Sequence, residues 1–248
     1  MRAVAYNVSA GLDPAAAARV LAELEPQVVC LLEIPGGGKL RSIARRAGLE
    51  VVERAGKRGT GAAVLVHPDV RVRATSRAAL STPKDLPGRE AAHAIVSVEG
   101  LGLSITAVQL GLRPDVRRTN LDELVTFLRS IDHPSVLGCD LNESVRYPVA
   151  SALAAMYQDA HALAGIGSGA TYPTSDPSTR QDFVFVDPTL RVTASFVASG
   201  DAVNVASHHL PVVADIEATD DVGDLQEPAS DGEPVDQAPD ADRPAGPA

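Results

Sequence analysis

The sequence predicts a mixed α/β domain, a four-layer α/β/β/α sandwich in which two packed, mostly antiparallel sheets are flanked by helices. Three observations carry this. Short apolar runs, rich in Val and bounded by turn residues, recur from position 1 to position 217 and read as buried strands. Between some of them, apolar residues repeat at helical spacing along one face. Elsewhere, strands follow one another with no helix between, which argues for antiparallel pairing and leaves the helices to cover the outer faces.

Residues 2–6 form the first strand and run straight into Asn7. Asp13-Pro14 is a helix start, with Asp as the cap and Pro in the first turn. Ala17, Val20, Leu21 and Leu24 then mark one buried face, and Pro26 ends the helix. The next strand, 28–32, runs into Glu33. Gly36-Gly37-Gly38 reads as a flexible loop; it lacks the Lys-Ser/Thr of a phosphate-cradling loop, and a helix over 39–47 follows. Strands near 49–53, 60–66, 70–79, 92–98 and 102–108 form a meander that ends at Gln109. A long helix begins near Pro114 and buries Leu121, Leu124, Val125, Leu128 and Ile131. Val136-Leu137 leads to Asp140 and Asn142, an Ala-rich helix covers about 147–155, and strands near 182–187, 192–198 and 210–216 close the domain. No internal repeat is visible.

The strand ends carry the chemistry. Asn7, Glu33, Gln109, Asp140, Asn142, Asp182 and His209 each stand where an apolar run stops or starts. Ends on one edge of a sheet converge, so these residues can share a cleft. Hydrolysing a phosphodiester requires charge neutralisation on the non-bridging oxygens, a positioned water that loses a proton, and a stabilised leaving oxygen. A divalent metal held by carboxylates supplies the first and third. A hard ligand such as Glu33 favours Mg2+ or Mn2+. His209, oriented by Asp182, can act as general base or as a cation that stabilises the transition state. Asp140 and Asn142 sit two apart, so in an extended segment they face the same way. One can orient water while the other donates to phosphate. Taken singly, each is an ordinary turn or cap residue.

On these residues the chain resembles the endonuclease/exonuclease/phosphatase superfamily, the group of pancreatic deoxyribonuclease, abasic-site endonucleases, inositol polyphosphate 5-phosphatases and sphingomyelinases. Its elements are matched in order by Asn7, Glu33, Gly138-Cys139-Asp140-Leu141-Asn142, Thr171-Tyr172-Pro173, Asp182-Phe183-Val184-Phe185 and Ser207-His208-His209-Leu210-Pro211. The resemblance implies a deoxyribonuclease I-like fold and a metal-dependent phosphoesterase of phosphodiesterase or endonuclease type. It implies catalytic roles for His209, Asp182, Asp140, Asn142 and Gln109. Substrate contacts fall to Asn7, Asn142, Gln109 and Arg180, and Mg2+ or Mn2+ to Glu33 with Asn7 and His208. Two positions depart from the pattern. Gln109 stands where the family has a His, and Gln cannot deliver a proton. His208 stands where the family has an Asp, which removes one negative charge beside the metal. These departures keep open an alternative: a catalytically impaired relative that binds a phosphorylated ligand or a protein.

Composition narrows the partners. The whole net charge of −10 resides beyond position 214, because acidic and basic side chains are equal in number up to that point. Residues 218–248, rich in Asp, Glu, Pro, Gly and Ala, read as a disordered acidic tail. A neutral body is unlike a high-affinity duplex binder, because phosphate contacts dominate such affinity. The groups Arg41, Arg45, Arg46; Arg54, Lys57, Arg58; and Arg113, Arg117, Arg118 can grip phosphate or be solvated surface charges. With no Trp and 3% aromatics, platforms for stacking single strands are scarce. The expected substrate is a phosphate ester, DNA or a small phosphodiester. His67, His93, His133 and His161 carry no expected catalytic role. No apolar run is long enough to span a bilayer and no signal-peptide pattern opens the chain, so the expectation is a cytoplasmic monomer. Cys30 and Cys139 lie within apolar strands and read as buried thiols. Ala-rich, Arg-over-Lys composition suggests a GC-rich bacterial genome. Substrate specificity is expected in the loops 81–89 and 165–179.

Overall fold

The computed structural model describes residues 1–219; the acidic segment read as disordered lies outside the described residues, apart from its first two positions. In chain order the elements are β1 (Arg2–Asn7), α1 (Pro14–Leu24), β2 (Val28–Leu32), α2 (Gly37–Arg46), β3 (Glu50–Ala55), β4 (Ala62–Val66), β5 (Arg71–Leu80), β6 (Arg89–Val98), β7 (Leu101–Gln109) and α3 (Pro114–Arg129). There follow β8 (Ser135–Asp140), α4 (Pro148–Ala154), β9 (Gln158–Asp159), α5 (Ala160–Ala164), β10 (Gly165–Ile166), β11 (Asp182–Val186), β12 (Leu190–Val197), α6 (Asp201–Ala206) and β13 (Val212–Ala218).

The strands form two sheets, ordered β10-β12-β13-β1-β2-β4-β3 and β5-β6-β7-β8-β11-β9. The expected sandwich of two mostly antiparallel sheets is what forms. The β1–β2, β7–β8 and β10–β12 pairs are parallel and the rest antiparallel. Two of the parallel pairs flank crossover helices, α1 and α3, as parallel neighbours require. The centres of the sheets match in layout: β13-β1-β2-β4 and β6-β7-β8-β11 each run antiparallel, parallel, antiparallel. The halves are thus alike in architecture without a visible sequence repeat.

Strand parity sorts the side chains. Ala3, Ala5, Val28, Cys30, Ala92, Ala94, Ile105, Ala107, Val136 and Val184 fill the space between the sheets. Val4, Tyr6, Val29 and Leu31 pack outward against Ala17, Val20, Leu21 and Leu24 of α1. Val108, Leu137, Cys139 and Phe183 pack outward against Leu121, Leu124 and Leu128 of α3. Many of these residues are small. At Gly138 a Cβ would come within 2.3 Å of the Cys30 Cβ, so the close approach of β8 to β2 requires glycine there.

The helices follow their sequence signals with some exceptions. Asp13 caps α1, its Oδ1 accepting the N–H groups of Ala15 and Ala16 at 2.9 Å each, a cap worth about 1 kcal/mol. Gly37 and Gly38, expected in a flexible loop, are instead the first residues of α2. The short helices α5 and α6 and the two-residue strands β9 and β10 carry no signal in the sequence, since they are too short to show a period. Among the described residues, no helix is long and apolar enough to cross a membrane.

Candidate active site

Parity also builds the site. Asn7 continues the inward row of Ala3 and Ala5 on β1, and Gln109 that of Leu103, Ile105 and Ala107 on β7. Asp140 continues the row of Val136 and Gly138 on β8, while Asp182 opens the row of Val184 and Val186 on β11. Register places both Gln109 and Asp182 directly beside Asp140. One edge of the inter-sheet core therefore ends in four buried polar side chains. Glu33 follows the inward Leu32, so a continued strand would turn it outward to the helices. The chain instead adopts φ 47° at Glu33, in the left-handed region, at a cost of about 1–2 kcal/mol. That turn brings its carboxylate to Gln109.

A hydrogen-bonded network joins these groups. Asn7 Nδ2 and Gln109 Nε2 each donate to Asp140 Oδ2 at 2.9 Å, and Gln109 Nε2 also donates to Glu33 Oε1 at 2.8 Å. Arg89, itself buried, donates through Nη1 to Gln109 Oε1. A guanidinium only donates, which fixes the amide: its oxygen faces Arg89 and its NH2 spans the two carboxylates. Both Gln109 N–H groups are thereby engaged, and neither is free for the phosphate contact expected of this residue. Sequence reading missed Arg89, which stood merely at the end of a loop; only the pairing of β6 with β7 brings it against Gln109.

Asp182 and His209 form the second half of the site. His209 Nδ1 lies 2.8 Å from Asp182 Oδ2, both residues being buried, while Asp182 Oδ1 has no hydrogen-bond partner. The Tyr172 ring packs on the imidazole, centroids 4.8 Å apart. Thr171 Oγ1 accepts the N–H groups of Gln181 and Asp182, and its carbonyl accepts from Leu210 N at 2.8 Å. Ser207 Oγ donates to the Asn7 carbonyl at 2.6 Å, tying the segment before β13 to β1. Burial opposes the charge on His209, but Asp182, Asp140 and Glu33 outweigh it and push its pKa up to about 9. The ring is therefore an imidazolium at neutral pH. Burial, and then the charge of Asp182, raise the Asp140 pKa above the usual carboxylate value, against His209 and the N–H donors of Asn142 and Asn7.

Other expected site residues sit differently. At Asn142 the chain turns with φ 51°, so it does not extend beside Asp140. Its backbone N–H donates to Asp140 Oδ1 at 2.8 Å and its Nδ2 to the Leu110 carbonyl at 2.8 Å. The His208 side chain is exposed and stands outside the network. Arg180 is paired with Asp159 at 3.1 and 2.5 Å and lies over the Phe183 ring. Arg117, read as a phosphate grip or a solvated charge, is neither. It is buried, donating to Glu143 Oε2 at 3.0 Å and to the Gly111 and Leu112 carbonyls. Arg113 pairs with the exposed Asp115. Cys30 and Cys139 are buried and unpaired; burial pushes Cys30 up to about 12 and Cys139 well above its usual value, so both thiols are inert. Among the described residues, Asp140, Asp182 and His209 are the His/Cys/Asp/Glu group whose ligand atoms lie within 4.8 Å of one another.

No family model matches the chain, and no curated protein matches it. Solved structures do. A mannosyl-6-phosphatase from Bacteroides thetaiotaomicron is similar over 88% of this chain and 99% of its own, with TM-score 0.76 and 13% identity. An endonuclease/exonuclease/phosphatase from Bacteroides vulgatus covers 88% and 98%, with TM-score 0.75 and 17% identity. The human Nocturnin catalytic domain, solved with a bound sulfate anion, covers 88% and 93%, with TM-score 0.71 and 15% identity.

Proposed function

We infer that this chain, which has the deoxyribonuclease I-like fold of the endonuclease/exonuclease/phosphatase superfamily, is a divalent-metal-dependent phosphoesterase acting on a phosphodiester. The observation that carries the reading is the buried His209–Asp182 pair facing Asp140, with Glu33 aimed into the same edge by a left-handed turn.

The donor set fits a hard divalent ion. Glu33, Asp140 and Asp182 bring three carboxylates to one edge, burial and mutual repulsion raise Asp140, and the buried Asp182 Oδ1 lacks a partner. Glu33, with Asn7, would hold the ion. The Asp140–Asp182–His209 group suits it less, because His209 Nδ1 and Asp182 Oδ2 are already spent on each other at 2.8 Å. When bound, Mg2+ or Mn2+ supplies charge neutralisation at the phosphoryl oxygens and at the leaving oxygen.

The chain's own residues do the rest. Asp140, its basicity raised by burial, orients the attacking water and takes its proton as the new P–O bond forms. The leaving group departs with the electrons of the breaking P–O bond. His209, already an imidazolium, stabilises the negative charge that builds on the non-bridging oxygens, and Asp182 fixes its ring. Asn142, pinned through one N–H to the Leu110 carbonyl, offers its second N–H to phosphate. Gln109 and Arg89 hold the Glu33 and Asp140 carboxylates at their spacing. Residues 1–217 constitute the catalytic domain. Buried, unpaired Cys30 and Cys139 suit a reducing, cytoplasmic setting.

The spent donors of Gln109 favour one second reading, a phosphate-binding relative without turnover. Hydrolysis of bis-p-nitrophenyl phosphate with Mg2+, Mn2+ or chelator, in wild type and His209→Ala, separates the two. The expected result is metal-dependent turnover that the variant loses. A folded wild type inert with every metal would refute the enzyme.

A further inference from the structure

Beside the proposed active site lies an open cavity of about 790 Å3. One wall is the segment 144–147, which begins just after Asn142. The other comes from 168–180, which ends just before Asp182 and contains the Tyr172 that packs on His209. Both walls thus grow out of loops that carry the proposed catalytic groups. A group bound in the cavity would be attached to a phosphate held between them.

The lining says which group. Tyr147 is 56% exposed and Tyr172 37%, and among the described residues they are the exposed aromatic side chains. A chain with 3% aromatics has placed its solvent-facing rings beside this cavity and site. Next to Tyr147, Arg146 is exposed and carries no ion pair among the described residues, whereas the other arginine of the lining, Arg180, is neutralised by Asp159. The cavity is also lined by the hydroxyl-bearing side chains of Ser144, Ser168, Ser178 and Thr179, and by no carboxylate or amide side chain among the described residues. Sugars bring many hydroxyl donors and are met by strong acceptors, which this lining lacks. A planar ring that stacks on tyrosine, with an anion for the free guanidinium, matches it better. A long duplex does not, because the body carries balanced charge and the cavity a single unpaired cation.

We propose that this cavity is a nucleotide subsite, in which Tyr147 stacks a nucleobase and Arg146 binds a second phosphate, remote from the scissile one. The inference rests on the phosphoesterase reading and narrows its substrate class: small nucleotide phosphodiesters that carry a further phosphate group.

The test is competitive inhibition of bis-p-nitrophenyl phosphate hydrolysis by the full-length protein, using adenosine 3′,5′-bisphosphate, adenosine 5′-monophosphate, glucose 1,6-bisphosphate and inorganic phosphate. The bisphosphate nucleotide is expected to inhibit wild type most strongly. Tyr147→Ala should weaken both nucleotides on the order of tenfold, as loss of one stacked base implies, and leave inorganic phosphate unchanged. Arg146→Ala should weaken adenosine 3′,5′-bisphosphate several-fold more than the monophosphate. Inhibition constants unmoved by either substitution, or a sugar bisphosphate binding as tightly as the nucleotide, overturn the subsite while turnover persists. A wild type that hydrolyses nothing overturns the phosphoesterase reading and the subsite with it.

Discussion

Asp182 has one oxygen on His209 and the other on no partner. That asymmetry separates orientation from folding. Asp182→Asn keeps the shape, and its amide oxygen can still accept, but it removes the negative charge that holds the imidazolium and lets the amide turn its NH2 toward the ring. The turnover number is expected to fall about 10³- to 10⁴-fold with an unchanged circular dichroism spectrum, as for an orienting carboxylate lost from a comparable dyad. Full activity in the variant would end the assignment. His209 gives a second prediction, through linkage. Its folded-state pKa, about 9, lies above the ordinary value of 6.5. The folded form therefore holds the proton more tightly, and the stability this confers is complete below pH 6.5 and lost as pH rises through 9. In chelator, wild type should melt at progressively lower temperature as the pH is raised across that window. His209→Gln should flatten the dependence, and parallel melting curves for the two proteins would refute it.

Among the elements, the joint between α3 and the segment after β8 matters most. Glu143 accepts from Arg117 on one oxygen and caps the first turn of α4 with the other, taking the N–H groups of Val149 and Ala150 at 2.7 and 3.0 Å. Arg117 in turn holds the Gly111 and Leu112 carbonyls. This buried pair locks the loop that carries Asn142 to the loop after β7. Glu143→Gln leaves a buried guanidinium without its anion and should cost about 3 kcal/mol. For a domain of this size that is a melting-temperature drop of roughly 6–12 °C. A double Arg117→Met/Glu143→Gln variant should recover part of the loss, because no charge is left stranded. Equal melting temperatures for wild type and Glu143→Gln would show that the pair contributes no stability. The sequence placed Arg117 on a helix and had no means of showing that its charge faces inward, since its partner Glu143 lies beyond both that helix and the next strand.

At the scale of the whole molecule, charge is divided along the chain: beyond position 219 every charged side chain is acidic except Arg243. Removing residues 220–248 should leave the melting temperature and the low-salt hydrolysis rate unchanged, because every side chain of the proposed site lies before that point. A several-fold rise in rate for the truncated protein at low salt, abolished by high salt, would instead assign the acidic segment an inhibitory contact with the site.

Local periodicity made the core strands, the capped helix after Asp13 and the polar residues at strand ends legible, because strand and helix periods are written in neighbouring residues. Asn7, Gln109, Asp140 and Asp182 were legible as strand ends that can share a cleft, but that all four continue the inward rows is decided by the packing of the sheets. What the chain alone did not determine is who meets whom. Asn7 reaches Asp140, and Ser207 reaches Asn7, from opposite ends of the domain's sequence. Glu33 faces the site only because a left-handed turn overrides its parity. Gln109 became a clamp between carboxylates only because Arg89 closes on its amide oxygen, and Asn142 turned away from the extended geometry because its amide found the Leu110 carbonyl. Such partners are set by strand order and by the packing of small residues between the sheets. Tertiary structure alone fixes them, because the energy of a hydrogen bond depends on distance in space, and two residues far apart in sequence meet only once both sheets have closed.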